Sequence, residues 1–338
     1  MKKLENQSII IYDFNIALFR PFLGEIRNLT VIFILKRLIK TKEWGVILKA
    51  DLHCHTKLSD GTLGIDDIII LAKNSGVTTL AITDHDSLAG TVRATIIGER
   101  HGITVIPAVE FSATDSKRNA RAHILCYLPD KPERLEGLCK SNSDKRKRAA
   151  RIMVAKVANK FPVTPELIMK CATGSTNIYK QHIMQALMEC GYTTTIFGDL
   201  YNMLFKKESR INVLMESTYP EPAEIIEAIH EAGGIAVLAH PGFYDNFELL
   251  EELIPLGLDG VEVWHPENTP EQQEMLIATA KKHELLMTGG SDFHGAYNAY
   301  PVKLGEYGPD EANVAQLLSY KAKKRRKMKR QAAVAEAK

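Results

Sequence analysis

From residue 46 onward the chain alternates short apolar β runs with helical periodicity, and most of the β runs end in a histidine or an acid. Residues 46–52, 78–82, 103–109, 121–127, 235–239, 259–264 and 285–290 read as strands, while 63–74, 87–101, 222–232, 246–256 and 270–284 carry the apolar spacing of helices packed on one face. Strands separated by whole helices cannot pair as hairpins, so repeated βα units imply a mainly parallel sheet or barrel. The stretch 131–217 breaks the rhythm with helical patterns and hardly any β signal, and reads as a helical insertion.

At 338 residues, with 45% hydrophobic and 25% charged, the chain fits one large α/β domain with an insertion and excludes a disordered or membrane-embedded chain. The expected division is an N-terminal extension at 1–47, a barrel built from 48–130 and 218–312, the insertion at 131–217 and a basic tail at 313–338. Apolar runs in the extension are too short, and too broken by charge, to span a bilayer, so no membrane partner is expected. The five cysteines form no CxxC pair, which argues against a disulfide framework or a thiolate zinc site; free thiols and a cytoplasmic location are expected. Residues 321–338 hold nine basic residues and one acidic, so of the net +2 the preceding 320 residues carry about −6. A polyanionic substrate must then be held by local cations or metals and not by the field of the whole protein.

Chemistry gathers at the strand ends. His53 and His55 follow the first strand, with Asp60 shortly after; His85 follows the second; Glu110 ends the third; His123 lies in the fourth. His240 follows the fifth, and Asp292 and His294 follow the last. In barrel enzymes the C-terminal strand ends converge on one face. On an extended chain residues i and i+2 point the same way, so His53 with His55, and Asp292 with His294, form two pincers, while Cys54 points away and is not expected to bind metal. Six imidazoles and three carboxylates without thiolate suit Mn²⁺, Zn²⁺ or Fe²⁺, and the carboxylates suffice to bridge two or three ions. His101, His230 and His283 sit late on helical patterns, where a helix-end or solvent role is expected.

The segments DLHCHTKLSDG (51–61), TDHDSLAG (83–90), VEFS (109–112), AHPG (239–242) and GGSDFHG (289–295) resemble, in composition and order, the PHP (polymerase and histidinol phosphatase) family of metal-dependent phosphoesterases. The resemblance implies a distorted seven-stranded β/α barrel. It implies up to three metals, often manganese, carried by His53, His55, Asp60, His85, Glu110, His123, His240, Asp292 and His294. Glu110 would bridge ions, and His85 or His240 would serve near the leaving group; Asp60 and His85 would also face substrate. Asp84 and Asp86 would orient ligands, and Gly61 and Gly290 would let the backbone pass close to the metals.

Within the family the chain is similar to the branch of 3′,5′-nucleoside bisphosphate phosphatases and 5′-to-3′ exoribonucleases, whose helical insertion resembles 145–191 here. That branch usually has Gly-Arg-Pro-His where this chain has Tyr179-Lys180-Gln181-His182; Lys180 keeps the charge without the arginine fork. Arg148 and Arg151 share a helix face, with Ile152 and Ala155 expected to pack that turn onto the barrel. These arginines, with Lys180 and His182, are the expected phosphate readers. The expected partners are a nucleotide substrate and short RNA held by the insertion and the basic tail. The competing readings are a histidinol-phosphatase-like enzyme, polymerase-type proofreading, and a non-catalytic RNA-binding module.

Overall fold

The computed structural model describes residues 49–336, with side chains as far as Arg326. The 1–47 extension and the first residues of the 46–52 β run lie outside them. The described residues up to 317 form one compact unit.

Seven strands form one sheet in chain order: β1 (Ala50–Cys54), β2 (Thr79–Ile82), β3 (Thr104–Asp115), β4 (Ala120–Tyr127), β5 (Ile235–Leu238), β6 (Gly260–Trp264) and β7 (Leu286–Gly289). The chain after β7 returns to β1, where Asp292 N–H donates to His53 O and His55 N–H to Phe293 O, both at 2.9 Å. The sheet is thereby a nearly closed barrel. The α-helices of the described residues are α1 (Ile65–Asn74), α2 (Thr91–His101), α3 (Glu136–Lys160), α4 (Pro165–Cys171), α5 (Lys180–Glu189), α6 (Asp199–Phe205), α7 (Pro222–Glu231), α8 (Pro241–Tyr244), α9 (Phe247–Leu253), α10 (Pro270–Lys282) and α11 (Glu311–Glu336). Among the described residues no helix is long and apolar enough to cross a membrane. The basic run 321–330 lies on α11.

The parallel rhythm breaks at β3–β4–β5, which pair antiparallel. β3 does not stop at 109 as its apolar run suggests: it continues to Asp115, paired residue for residue with β4 from Ala108↔Tyr127 to Asp115↔Ala120. Fully buried Phe111 and nearly buried Ala113 continue the alternation that makes the extension favourable. Glu110 is therefore a mid-strand residue. Because β4 runs the other way, His123, near its start, reaches the same rim as the ends of the parallel strands.

Three apolar cores hold these elements in place. One packs β3–β6 against α7, α9 and α10, with Ile124, Ile225, Leu253 and Leu276; a second packs β1 and β2 against α1 and α2. The third belongs to the helices between β4 and β5, where Val157, Ile168, Ile183, Leu187 and Leu204 are fully buried. All five cysteines are free, and Cys54 turns its thiol to Ala81 O at 3.2 Å, away from the flanking histidines.

Candidate metal centre

Period-two geometry delivers the first pincer: His53 and His55 point inward from the end of β1, buried at 0% and 1% exposure. The backbone around them has no room for other side chains. A Cβ added to Gly290 would lie 2.3 Å from His53 N, and one on Gly61 2.4 Å from His55 O. Buried Asp84 accepts Thr56 N–H (2.8 Å), Thr56 O–H (2.6 Å) and Ser59 O–H (2.6 Å), which folds the loop after β1 over the site. Asp86 accepts Ser112 N–H at 3.0 Å and Asn142 Nδ2 at 2.7 Å, tying the loop after β2 to β3 and α3. Three non-glycine residues of the rim, Asp86, His240 and Asp292, hold φ of 51°, 28° and 49°. Backbone strain of this kind persists only where surrounding contacts over-determine it, and it clusters at functional sites.

Glu110 is the hub. Its Oε2 lies 3.4 Å from His53 Nε2, 3.3 Å from His55 Nε2 and 2.9 Å from His85 Nδ1, while Oε1 lies 2.8 Å from His123 Nδ1 and 2.9 Å from His240 Nε2. Asp292 Oδ1 stands 3.4 Å from His53 Nε2, 3.1 Å from His55 Nε2 and 3.6 Å from His294 Nδ1. Asp60 completes a third group, with Oδ1 3.3 Å from His294 Nε2 and Oδ2 3.8 Å from His85 Nε2. All nine residues expected at the site are thus brought together.

Burial alone would raise the Asp60, Glu110 and Asp292 carboxyls, but the surrounding imidazoles hold all three well below their ordinary values. Burial would likewise lower His53 and His55. The carboxylates outweigh it, holding His53 well above its ordinary value and His55 at about 10. At His123 burial wins, and the ring is pushed down to about 4. Buried carboxylates this dense require positive charge close by, from ring protons or from cations.

The donor set fits divalent ions. His53 Nε2, His55 Nε2, Glu110 Oε2 and Asp292 Oδ1 are buried, make no hydrogen bond among the described residues, and converge on one another. His55, Asp60, His85 and His294 could hold one ion, as could His53, His55 and Asp292, or His85, Glu110 and His123. Buried lone pairs without donors are costly unless a cation takes them.

A cavity of about 480 Å³ opens above the cluster, lined at its floor by Asp60, His85, Glu110, His123, His240, Asp292 and His294. His53 and His55 lie beneath. The helices between β4 and β5 contribute its wall, with Arg146, Tyr179, Lys180, Tyr201 and Phe205.

The wall differs from the expected phosphate readers. Arg148 and Arg151 are exposed and do not line the cavity, because α3 buries Ala149, Ala150, Met153, Val154 and Val157 and so turns those two arginines outward. Ile152 and Ala155 are exposed as well. From the basic run Lys145-Arg146-Lys147-Arg148 of α3 it is Arg146 that lines the cavity, pairing with Asp86 at 2.8 Å and lying over the Tyr179 ring. His182 is also absent from the lining: its Nδ1 accepts Tyr179 N–H at 3.1 Å and caps α5. Lys180 does line the cavity.

Residues that the sequence reading passed over are Glu262, His265, Arg121 and Arg146. Arg121 lies two positions before His123 on β4 and so shares its face. Glu262 is the one acid in the apolar strand GVEVW, and His265 follows directly, the same strand-end pattern as His240. None of His101, His230 and His283 lines the cavity; His230 instead meets Asp259 at 2.7 Å.

Residues 51–236 match the family model described as PHP domain. The chain is 34% identical over 253 residues to phosphoribosyl 1,2-cyclic phosphate 1,2-diphosphodiesterase of Eggerthella lenta, covering 74% of this chain and 96% of that protein. It is 32% identical over 253 residues to the 5′-3′ exoribonuclease Rnm of Escherichia coli, covering 72% and 84% respectively. A solved structure described as a metal-dependent phosphoesterase from Bifidobacterium adolescentis superposes with a TM-score of 0.72 at 33% identity, over 80% of this chain and 96% of that one. With barrel, cluster and relatives in agreement, the chain belongs to the PHP domain family and is a metal-dependent phosphoesterase, a hydrolase acting on ester bonds.

Proposed function

We propose that this hydrolase removes a phosphate, or cleaves the 5′-terminal ester, from a nucleotide that carries a second phosphate, with 3′,5′-nucleoside bisphosphates and short RNA as substrates. The observation that carries this reading is the pair Arg121 and Lys180. Both line the cavity, both are half-buried, and neither makes an ion pair among the described residues. Burial, then the nearby Arg121 charge, pushes the Lys180 ammonium down to about 8. Two unpaired cations facing one cavity repel each other, and a phosphate placed between them removes that cost. Tyr201 and Tyr244 of the same lining offer ring surface for a base or sugar.

His53, His55, Asp60, His85, Glu110, His123, His240, Asp292 and His294 are proposed to hold two or three divalent ions, with Mn²⁺ the first reading and Zn²⁺ or Fe²⁺ the alternatives. Ions bound there would neutralise phosphoryl oxygens and acidify a water for attack on phosphorus. The chain's own part is positioning. Glu110 keeps five imidazoles aimed at one point, and His85 and His240, at the cavity floor, stand where the leaving oxygen departs. Arg121 and Lys180 orient the phosphate that does not react.

A second reading, a cyclic phosphodiester of a phosphoribosyl compound, rests on the Eggerthella relative and would use the same two cations for the phosphate outside the ring. Initial rates on adenosine 3′,5′-bisphosphate, 5′-phosphorylated short RNA, a phosphoribosyl cyclic phosphate and histidinol phosphate test the proposal. The expected result is a kcat/KM at least about tenfold higher on a nucleotide or RNA than on histidinol phosphate, the worth of one charge-assisted contact. The reverse order would overturn it.

The Lys180 shift gives a pH dependence. A lysine held at about 8 is cationic below that pH and neutral above it, so its hold on a phosphate weakens as pH rises through 8. The KM for the bisphosphate should therefore rise above about pH 8, and Lys180→Arg, with a cation that does not titrate there, should flatten that limb. An unchanged limb in the arginine variant would assign the titration to another group.

A further inference from the structure

β6 sends two polar side chains into the centre that the proposed ligand set does not include. Glu262 lies within the strand and His265 just past its end, 0% and 1% exposed. Glu262 places its oxygens 3.0 and 3.1 Å from His53 Nδ1, and Oε2 also accepts the His240 backbone N–H at 2.9 Å. An ionised carboxylate only accepts, and both oxygens of Glu262 face His53 Nδ1 while one also takes the His240 N–H. The His53 proton facing it therefore sits on Nδ1. On the neutral ring that a ligand must be, Nε2 is then the lone pair and faces Glu110 and Asp292.

His265 is fixed by its other neighbour. Its Nδ1 lies 3.1 Å from Glu267 N, and a backbone N–H only donates, so Nδ1 carries the lone pair and the neutral ring bears its proton on Nε2. That buried Nε2 makes no hydrogen bond among the described residues and lies 3.5 Å from Asp292 Oδ2. His53, Glu262 and His265 are close enough to suggest a further ion site. The protons on His53 Nδ1 and His265 Nε2 argue against it, since a protonated nitrogen has no lone pair to give. Asp292 is the partly open carboxylate of the cluster, 28% exposed, and the broad torsion at its carboxyl does not by itself choose which oxygen faces inward.

We infer that Glu262 and His265 are positioning residues: Glu262 keeps the His53 proton on Nδ1, and the His265 N–H draws Asp292 Oδ2 toward itself, so that His53 Nε2 and Asp292 Oδ1 are the atoms presented to the ions. This rests on the reading of His53 and Asp292 as ligands. Partners of this kind typically set metal affinity by 10- to 100-fold.

The test is Mn²⁺ affinity of the full chain by chelator competition, with thermal stability read alongside. His265→Leu should lose roughly 10- to 100-fold in affinity, whereas His265→Gln, whose amide N–H can stand near the position of Nε2, should stay close to the parent. Nitrogen NMR of the parent protein should find His265 protonated at Nε2 and bare at Nδ1. A proton on Nδ1, or equal losses in the leucine and glutamine variants, would overturn the assignment. Unchanged affinity in His265→Leu beside metal loss in His53→Ala would sink this inference and leave the ligand set standing; metal retained in both would sink the ligand set as well.

Discussion

His53→Ala is expected to lower turnover by roughly 10³-fold or more, together with a loss of bound metal, while the barrel stays folded. The imidazole touches Glu110, Asp292 and Glu262 at once, at 3.4, 3.4 and 3.0 Å, so its removal costs the cluster a donor shared by several of its groups. Metal stabilisation of a phosphoryl transition state is worth several kcal/mol, and a loss of about 4 kcal/mol corresponds to roughly 10³ in rate. The fold should survive because closure of the barrel at this strand uses backbone groups, His53 O and His55 N–H, which alanine preserves. The carboxylate of Glu262 would be left buried without its ring, so some stability should also be lost. Elemental analysis and steady-state rates on one preparation decide the matter, and near-normal metal and activity would contradict the ligand role.

The floor of the site was legible because it follows from local rules. His53 with His55, and His240 after a buried strand, need only the period of a strand and the position of its end. The same rule, applied to GVEVWH, points to Glu262 and His265; what obscures them is their spacing of three, which on an extended strand puts the two on opposite faces and makes no pincer. The β3–β4 hairpin was harder. No glycine-rich two-residue turn marks it, and extension of β3 to Asp115 is decided by pairing with β4, a tertiary contact that propensity does not contain. That reversal is what brings Arg121 and His123 to the rim.

The wall was read with the right helix and the wrong phase. In the run Lys145-Arg146-Lys147-Arg148 every rotation of the helix offers a cation to the barrel, so charge alone does not choose among them. The choice lies in the apolar residues that follow. Ala149, Ala150, Met153, Val154 and Val157 recur at helical spacing and are buried, and they carry Arg146 inward and Arg148 and Arg151 outward. Arg146 is in any case engaged by Asp86 and Ser112, at 2.8 and 2.6 Å, and serves first to hold the loop that bears His85. That leaves Arg121 and Lys180 as the cations of the cavity with no carboxylate of their own.

Arg121→Ala should accordingly separate substrates more sharply than any change on α3. A charge-assisted hydrogen bond in a partly dry site is worth about 1.5–3 kcal/mol, so kcat/KM for adenosine 3′,5′-bisphosphate should fall roughly 10- to 100-fold. Hydrolysis of p-nitrophenyl phosphate, which has no second phosphate to hold, should change little, because contacts to a remote group act by placing the reacting one. Lys180→Ala should show the same selectivity. The two losses should not add in the double variant, since both side chains face one phosphate and the first removal already frees it to shift. Arg148→Ala, exposed and outside the cavity, should leave both substrates unaffected. Equal losses of Arg121→Ala on the two substrates would mean that Arg121 supports the rim through His123, its neighbour on the same face of β4, and does not read the second phosphate.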